Sequence, residues 1–204
     1  MFYKVIRFLV GIWVRIWFRY RIEDRPDPLP DQRIILAATH TSAIDIIALA
    51  VAWPRQVHFI AKKEIGRKRF FHWAALKLGV IFIDRQANDL ESMRKSLAIL
   101  NEERCLGIFP EGTRTHNVDP KNMKVGVAFL AFRAKSDVVP VSIESSFRFR
   151  APLTVRFKPL LSVARFQEMG SAQGREAMSL ALYNQMYDTG FTLDDLHAGG
   201  ADDH

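Results

Sequence analysis

"RIILAATHTSAID", residues 33–45, is an apolar run followed by a polar turn and then by the start of a second apolar pattern. The first run predicts a buried β-strand, and the spacing of apolar residues over residues 42–53 predicts a helix. His40 falls in the turn between them, and Asp45 falls in the first turn of the helix. An apolar strand that leads through a polar turn into a helix is the repeating unit of α/β proteins.

Asp45 has two interpretations that do not exclude each other. Ser42 and Asp45 have the spacing of a capping box, in which two side chains satisfy free backbone amides at a helix start. Alternatively, the His40 imidazole folds back towards the first helical turn, where a carboxylate would fix its tautomer and stabilise its protonated form. His40 would then be a general base for a hydroxyl group. This interpretation predicts that both side chains lie within hydrogen-bond reach, near Glu111 and Arg114.

The same alternation of apolar runs and helical patterns continues along most of the chain. Further strands are predicted at residues 57–61, 79–83, 105–109, 138–143 and 153–157. Further helices are predicted at residues 67–78, 88–103, 124–135 and 172–188. Strands that alternate with helices predict an α/β fold with a largely parallel central sheet flanked by helices.

Two further polar clusters follow predicted strands. "FPEGTR", residues 109–114, favours a turn and brings Glu111 and Arg114 to the mouth of the sheet, while "GVIFIDR", residues 79–85, delivers Arg85 in the same way. An arginine guanidinium can hold a phosphate through two parallel hydrogen bonds. Taken alone, the first cluster is also compatible with a plain turn that carries a surface ion pair. Because the carboxyl ends of parallel strands meet at one edge, we expect the clusters to converge on one site.

The composition predicts a folded domain with a basic surface. The 204 residues are 49% hydrophobic and 25% charged, which supplies enough apolar material for a core and argues against a disordered chain. The formal net charge of +7 favours a polyanionic partner, which could be an anionic membrane surface, a phosphorylated substrate or a nucleic acid. The single cysteine, Cys105, excludes an intrachain disulfide, and its apolar surroundings predict a core residue.

Motifs for metal or nucleic-acid chemistry are missing from the sequence. The six histidines show no His-Glu-x-x-His spacing or comparable ligand pattern, and one cysteine cannot form a cysteine cluster for zinc. The chain also lacks a recognisable nucleic-acid-binding module, despite its basic charge. We therefore expect no metal site and no nucleic-acid partner.

"MFYKVIRFLVGIWVRIWFRY", residues 1–20, predicts an amphipathic helix within residues 1–22. Arg7 and Arg15 interrupt the apolar run, which argues against a single helix that crosses a membrane, because that needs roughly 20 apolar residues. On a helix, Lys4, Arg7, Gly11 and Arg15 would lie within about 80° of one another, and the aliphatic and tryptophan side chains would cover much of the rest. This pattern is typical of a helix in the membrane interface, although a helix packed on its own domain is an alternative. The predicted membrane contacts are Lys4, Arg7, Trp13, Arg15 and Trp17.

Proline and charge patterns suggest the boundaries around the main domain. "EDRPDPLPD", residues 23–31, contains three prolines and four acids, which predicts an extended linker over residues 23–32. The main domain is then expected over residues 33–190, followed by a flexible acidic tail over residues 191–204. "KKEIGRKRFFHW", residues 62–73, either extends a surface for headgroups or an acidic carrier protein, or is a solvated basic face.

These segments together resemble the four sequence blocks of the glycerolipid acyltransferase superfamily, typified by 1-acylglycerol-3-phosphate acyltransferase. The first block is a histidine, four residues and an aspartate, matched by His40 and Asp45. The second is a glycine-led strand that ends in an arginine, matched by "GVIFIDR". The third is "FPEGTR" itself, and the fourth is an apolar stretch around a proline, matched by "VVPVSI" with Pro140. The resemblance covers residues 34–143 in the order and spacing of the family.

The resemblance implies an O-acyltransferase with the α/β fold of this superfamily. A fatty acyl group would move from acyl-CoA or acyl-carrier protein to the free hydroxyl of a lysophospholipid, by default 1-acylglycerol-3-phosphate, to give phosphatidic acid. His40 would be the catalytic base, oriented by Asp45, without a cofactor and without an acyl-enzyme, and the sequence contains no Gly-x-Ser-x-Gly nucleophile motif. By similarity, the residues expected to hold the acceptor are Arg85, Glu111, Gly112, Thr113, Arg114 and Lys124.

Two departures from the family affect these expectations. The family often has asparagine before the histidine, where this chain has Thr39, and the part of this chain after the fourth block is short. Regions outside the blocks shape the acyl pocket, so one alternative is a different acceptor such as a lyso-aminolipid. A second alternative is a non-catalytic membrane lipid-binding protein. We expect membrane phospholipids as partners and a monotopic location at the cytoplasmic face of the inner membrane, where acyl thioesters are supplied.

Overall fold

Seven strands and seven helices make up the part of the chain that the computed structural model describes, which is residues 2–62, 79–83, 89–112, 114 and 126–197. The helices are α1 (Phe2–Trp17), α2 (Ile44–Ala52), α3 (Asp89–Asn101), α4 (Gly126–Ala134), α5 (Val163–Gln167), α6 (Ser171–Tyr187) and α7 (Leu193–His197). The strands are β1 (Arg19–Glu23), β2 (Ile34–Ala38), β3 (Val57–Lys62), β4 (Val80–Ile83), β5 (Cys105–Ile108), β6 (Asp137–Ser145) and β7 (Pro152–Phe157).

All seven strands belong to one sheet in the order β1-β7-β6-β2-β5-β3-β4. The five strands from β6 to β4 in this order pair in parallel, whereas β7 is antiparallel to β6 and parallel to β1. The carboxyl ends of β2, β5 and β6 therefore lie at one edge of the sheet, which we name the C-terminal edge. The predicted α/β fold, with a largely parallel central sheet flanked by helices, is confirmed.

β2 lies in the interior of the sheet and positions the turn that follows it. It pairs with β5 on one side, where Ile34 is opposite Cys105, and with β6 on the other, where Ile34 is opposite Asp137. All five of its residues are buried. A parallel strand that is covered on both faces reads as a continuous apolar run rather than an alternating one, which explains why this segment was recognisable in the sequence.

Helices cover both faces of the sheet and divide the core into two clusters. Ile34 and Leu36 belong to the cluster that includes residues of α1 and α2. Ile35 and Ala37 belong to the cluster that includes residues of α4 and α6. Because successive residues of a strand face opposite sides, β2 supplies both clusters and ties the two layers together.

The N-terminal boundary predicted from the sequence is wrong in one respect. The first helix ends at Trp17, and residues 19–23 form the edge strand β1 rather than the end of an anchoring helix. β1 pairs with β7 from Arg19 opposite Pro152 onwards. Tyr20 and Ile22 alternate with charged residues, and both pack on the first core cluster, which is the periodicity of a strand with one covered face. The sheet therefore begins before the proline-rich segment and not after it.

The segments on either side of the main domain differ from each other in the described structure. Residues 24–33 contain no helix or strand, as the proline-rich composition indicates. The predicted acidic tail, in contrast, includes the short helix α7, because Thr192 and Asp195 form a capping pair in which both the amide and the hydroxyl of Thr192 donate to the carboxylate. Residues 198–204 lie outside the described residues, as do the predicted helix at 67–78 and nearly all of the basic segment at 62–73.

Candidate active site

His40 and Glu111 follow two neighbouring strands at the C-terminal edge. β2 ends at Ala38 and β5 ends at Ile108, and the two strands pair in parallel. The turns after them are therefore brought to the same place by the register of the sheet. This is the position where ligand crevices open in α/β proteins.

The His40 and Asp45 side chains form the pair that the sequence predicts. His40 Nδ1 lies 3.2 Å from Asp45 Oδ2. The Thr41 and Ser42 amides also donate to Asp45 Oδ2, each at 2.7 Å, so three groups fix one carboxylate oxygen. Asp45 is 0% exposed, and a buried carboxylate is tolerable only when such donors are present. The predicted hydrogen-bond reach between the two side chains is confirmed.

The helix start that delivers Asp45 differs in detail from the capping box. α2 begins at Ile44, its N-cap position is Ala43, and the side chain of that residue caps nothing. Ser42 Oγ accepts a hydrogen bond from the Ile44 amide at 3.3 Å, while Asp45 holds the Ser42 amide. The capping interactions are therefore present, but the N-cap position is Ala43 rather than Ser42. The Asp45 carboxylate is shared between the turn amides and the His40 imidazole.

Thr39 fixes the entrance to this turn. Its hydroxyl accepts a hydrogen bond from the Ile143 amide at 2.9 Å and donates to the Ile143 carbonyl at 3.4 Å. Ile143 belongs to β6, which continues beyond the end of β2. Thr39 thus extends the β2–β6 pairing through its side chain and fixes the backbone just before His40. This is the position where the superfamily often has asparagine.

An aromatic stack orients the His40 ring. Phe109 stacks on the imidazole with ring centroids 4.1 Å apart, and Phe59 stacks on Phe109 at 6.1 Å. With Nδ1 held by Asp45, the carboxylate favours the tautomer that carries its proton on Nδ1. Nε2 is then the nitrogen that can accept a proton from a substrate hydroxyl.

Glu111 is the second buried carboxylate of the site. The turn at residues 109–112 is closed by a hydrogen bond from the Gly112 amide to the Phe109 carbonyl at 3.0 Å, and Gly112 has φ of +68°, a region that favours glycine. Glu111 is 6% exposed, and the Tyr187 hydroxyl donates to its Oε1. Burial raises the pKa of the Glu111 carboxyl, and the hydrogen bond from Tyr187 and the nearby His40 partly oppose this.

Of the remaining predicted acceptor-binding residues, the structure describes Gly112 and Arg114. Arg114 is exposed and follows the Glu111 turn, so its guanidinium is accessible to solutes. Thr113, Arg85 and Lys124 lie outside the described residues, and their roles stay predictions. The structure thus brings together His40, Asp45 and Glu111 from the predicted set. Sequence reasoning missed Tyr187, Phe59 and the stacking role of Phe109.

Cys105 does not supply a nucleophile to this site. It is buried in β5, and the Trp53 indole N–H donates to its Sγ at 3.2 Å, which confirms the predicted core position. Burial raises the pKa of the Cys105 thiol, and a thiol is a poor nucleophile until it loses its proton. The arrangement therefore favours direct proton abstraction by His40 over covalent catalysis by this cysteine.

A surface rich in exposed apolar side chains lies on α1 and on the turn between β6 and β7. We name it the apolar surface, and its members are Val5, Phe8, Leu9, Ile12, Trp13, Ile16, Trp17 and Phe149. Trp17 contacts Phe149 with ring centroids 5.2 Å apart, and the Arg150 amide donates to the Trp17 carbonyl at 2.6 Å. Because this turn follows the carboxyl end of β6, it lies at the C-terminal edge, as the candidate active site does.

The other side of α1 packs on the protein through both apolar and polar groups. Val14 is buried in the first core cluster, and the Arg7 guanidinium donates to the Ala50 and Val51 carbonyls at the end of α2, at 3.2 and 2.9 Å. Arg7 thus occupies carbonyls that α2 leaves without helical partners, and cations are favourable at a helix C-terminus. Its contact with headgroups stays a prediction. Lys4 and Arg15 remain exposed. No helix among the described residues is both long enough and apolar enough to cross a membrane.

Comparisons with known proteins agree with the fold and the blocks. A family model described as Acyltransferase matches residues 20–144, more than half of the chain. The 1-acyl-sn-glycerol-3-phosphate acyltransferase of Bacillus subtilis is 31% identical over 115 residues, which cover 56% of this chain and 57% of that protein. The human 1-acyl-sn-glycerol-3-phosphate acyltransferase alpha is 30% identical over 158 residues, which cover 74% of this chain and 53% of that protein. The chain therefore spans little more than half the length of these relatives.

A solved structure resembles most of the chain. The crystal structure of the 1-acyl-sn-glycerophosphate (LPA) acyltransferase, PlsC, from Thermotoga maritima has a TM-score of 0.63 to it. The match covers 93% of this chain and 81% of that chain, at 20% sequence identity. At this identity the likeness supports the fold alone.

Proposed function

Because the chain belongs to the acyltransferase family, we propose that it is an O-acyltransferase that moves a fatty acyl group from an acyl thioester to the free hydroxyl of a lysophospholipid. The proposed acceptor is 1-acylglycerol-3-phosphate, and the product is phosphatidic acid. The acyl donor is acyl-CoA or acyl-carrier protein. The names of the relatives support the acceptor, and the hydrogen bond between His40 and Asp45 supports the chemistry.

The paired His40 and Asp45 side chains are the observation on which the proposal depends most. In the proposed reaction, the acceptor hydroxyl transfers its proton to His40 Nε2 while its oxygen attacks the thioester carbonyl. Asp45 stabilises the imidazolium that forms. The tetrahedral intermediate then collapses, the carbon–sulfur bond breaks, and the leaving thiolate takes the proton from His40. No metal or organic cofactor is needed, so activity is expected to persist in a chelator.

The FPEGTR segment, residues 109–114, is the proposed site for the acceptor. The exposed Arg114 holds the phosphate, and the buried Glu111 carboxylate accepts a hydrogen bond from a phosphate oxygen that carries a proton. The proposed set also contains Gly112 and Thr113 of the same segment. Arg85 and Lys124 complete it as additional cations for the phosphate.

The apolar surface is the proposed membrane-docking site. Phe8 is 67% exposed, Ile16 59% and Phe149 63%, and large exposed apolar patches of this kind mark interaction surfaces. Exposed cations flank it, as expected for contact with anionic lipid headgroups, and they are Lys4, Arg15, Arg19, Arg148 and Arg150. Trp13 and Trp17 would lie at the level of the headgroups. The proposed location is monotopic, at the cytoplasmic face of the inner membrane, where acyl thioesters are made available.

Acyl transfer by the purified protein tests the proposal. Labelled acyl-CoA and labelled acyl-carrier protein are offered separately with lysophosphatidic acid, with other lysophospholipids and with a lyso-aminolipid. We expect labelled phosphatidic acid from lysophosphatidic acid, and its loss in the His40→Ala variant. The matched control is His58→Ala, which removes a histidine of β3 that the site does not use.

Three outcomes would contradict the proposal in different ways. Product from a lyso-aminolipid alone would replace the acceptor, and lipid binding without any product would indicate a carrier rather than an enzyme. Equal product from the wild type and from His40→Ala would remove His40 as the base.

A further inference from the structure

Tyr187 is the last residue of α6 and contacts the candidate active site from a part of the chain beyond the acyltransferase match at residues 20–144. Its hydroxyl donates to Glu111 Oε1, although 76 positions separate the two residues. α6 reaches this place because Met178, Leu182 and Met186 are buried in the second core cluster, which fixes the helix on its face of the sheet. The spacing of these three residues is that of a helical stripe.

The end of α6 is held on its other sides as well. Asp188 follows Tyr187 in the left-handed region with φ of +53°, and its carboxylate accepts from Lys158 Nζ at 2.6 and 2.7 Å. Asn184, one turn earlier, donates to the Phe191 carbonyl at 2.8 Å. The Tyr183 ring packs on the Tyr187 ring with centroids 4.7 Å apart. These contacts leave the Tyr187 hydroxyl little freedom to move away from Glu111.

The two oxygens of the Glu111 carboxylate have different surroundings. Oε1 accepts from Tyr187, whereas Oε2 is buried and has no hydrogen-bond partner among the described residues. A buried carboxylate oxygen without a donor is costly, so such an atom in a site is expected to receive a donor from a ligand. The one free hydroxyl of 1-acylglycerol-3-phosphate is directed to His40, so the donor of this kind that the acceptor supplies is a phosphate oxygen that carries a proton.

We propose that Tyr187 is a positioning residue of the acyl-transfer reaction, whose hydroxyl occupies one oxygen of Glu111 and directs the other towards the acceptor lipid. The proposal rests on the proposed function, because the acceptor is the ligand that completes the carboxylate. It adds a residue of α6 to a site whose other polar side chains come from the sequence blocks. The substrate and the base remain as proposed above.

The surroundings of Glu111 determine what loss of the hydroxyl would do. Burial raises the pKa of the Glu111 carboxyl, the hydrogen bonds from Tyr187 and from the Glu111 backbone amide lower it, and His40 also lowers it, whereas the Asp45 carboxylate raises it. Burial and Glu111 together raise the pKa of the Tyr187 hydroxyl, so it remains a donor at neutral pH. Removal of the hydroxyl therefore moves the pKa of Glu111 further upwards. Because the acceptor needs the carboxylate form, activity should then fall at a higher pH as the solution is acidified.

Steady-state kinetics of Tyr187→Phe provide the first test, since this change removes the hydroxyl and keeps the ring. We expect KM for lysophosphatidic acid to rise about tenfold, as for loss of a hydrogen bond to a charged group, with KM for the acyl thioester unchanged. The acid limb of kcat/KM should move to higher pH. The matched control is Tyr183→Phe, which removes a buried hydroxyl one turn earlier and should change KM less than about twofold.

A double variant separates a role through Glu111 from a general role in folding. If Tyr187 acts through Glu111, Tyr187→Phe should add less than about a twofold effect in a Glu111→Gln background. Equal effects of Tyr187→Phe and Tyr183→Phe would overturn the proposal. So would a full additional loss in the double variant, because the hydroxyl would then act independently of the carboxylate.

Carbon-13 NMR of the labelled glutamate carboxyl groups gives a readout that needs no turnover. The Glu111 signal is identified by its absence in Glu111→Gln. We expect its pKa to rise in Tyr187→Phe and to stay at the wild-type value in Tyr183→Phe; an unchanged pKa in Tyr187→Phe would refute the pairing. If the pKa rises while the wild type makes no acyl product, the proposed function fails and the hydrogen bond between Tyr187 and Glu111 stands.

Discussion

At the candidate active site two carboxylates are buried, Asp45 at 0% and Glu111 at 6% exposure, whereas on α1 the Phe8 and Ile16 side chains are 67% and 59% exposed. The first region places polar groups where apolar ones are usual, and the second does the reverse. The Trp17 and Phe149 end of the apolar surface lies at the same C-terminal edge of the sheet as the site, since the turn that holds Phe149 follows β6. Buried carboxylates and exposed apolar side chains are two different departures from the arrangement that makes a folded chain most stable in water.

The two departures are supported differently. Hydrogen-bond donors compensate the buried carboxylates: three groups lie on Asp45 Oδ2 and one on Glu111 Oε1. Among the residues that the structure describes, nothing compensates the exposure of the apolar surface, which is favourable only when something covers it. The folded chain therefore holds one oxygen of each carboxylate, while Asp45 Oδ1 and Glu111 Oε2 have no hydrogen-bond partner among the described residues; the docking surface, in contrast, is covered only by its partner. It follows that the two regions should respond independently to mutation.

Asp45→Asn should have the largest effect, confined to the active site. The amide cannot stabilise an imidazolium as a carboxylate does, so we expect kcat to fall by about 10²- to 10⁴-fold, the range for loss of general-base catalysis. Rate measurements on lysophosphatidic acid check this, with vesicle binding measured in parallel. The matched control is Asp137→Asn, since Asp137 accepts a hydrogen bond from the Val163 amide at the start of α5 and should not alter the rate strongly. A rate for Asp45→Asn near that of the wild type would refute the role of the carboxylate.

The combined change Phe8→Ser, Leu9→Ser and Ile16→Ser should have the next largest effect, confined to the apolar surface. Affinity for anionic vesicles is expected to fall about 100-fold, because each side chain loses favourable transfer out of water. Vesicle sedimentation measures it. The matched control replaces three exposed apolar residues elsewhere, Leu90, Leu160 and Met169, with serine. Equal losses in the two triple variants would mean that the apolar surface has no special role.

Arg7→Met should reduce stability rather than docking. The change removes hydrogen bonds to the Ala50 and Val51 carbonyls, and we expect the free energy of unfolding to fall by about 1–2 kcal/mol. Denaturant titration measures the loss, and Lys4→Met on the exposed side of α1 should have a smaller effect. If Arg7→Met instead weakened vesicle binding without changing stability, the original sequence interpretation of Arg7 as a headgroup contact would be right.

Arg148→Gln should have the smallest effect and refines the extent of the docking surface. Arg148 is exposed in the turn beside Phe149, and we expect about a fivefold loss of affinity for anionic vesicles, the value for one cation near a charged membrane. Binding to zwitterionic vesicles should be unchanged. An identical loss on both vesicle types would show that the turn does not act through charge.

Local patterns explain what the sequence could predict. β2 and β5 were recognisable because buried parallel strands are continuous apolar runs, and His40 and Asp45 could be paired because only one turn separates them. The acyltransferase family, suggested by four blocks, is confirmed by the match over residues 20–144. β1 was missed because its charged edge residues continue the basic pattern of α1.

Long-range contacts explain what the sequence could not predict. Arg7 caps α2 across 43 positions, and no periodicity distinguishes that role from a contact with headgroups. Tyr187 reaches Glu111 across 76 positions, and its only local signal is the aromatic pair that it forms with Tyr183. Contacts of this kind depend on the assembled sheet, which brings distant helices to one edge.

Acyl transfer and vesicle binding measured on the same samples test the central claim most directly, namely that His40 does chemistry at a site that the apolar surface brings to the membrane. Wild type, His40→Ala and the Phe8, Leu9 and Ile16 triple serine variant are compared on vesicles and on a dispersed short-chain acceptor. The account predicts that His40→Ala binds vesicles and gives no product on either acceptor. It predicts that the triple variant loses vesicle binding and retains turnover of the dispersed acceptor. Product from His40→Ala at the wild-type rate would contradict the account.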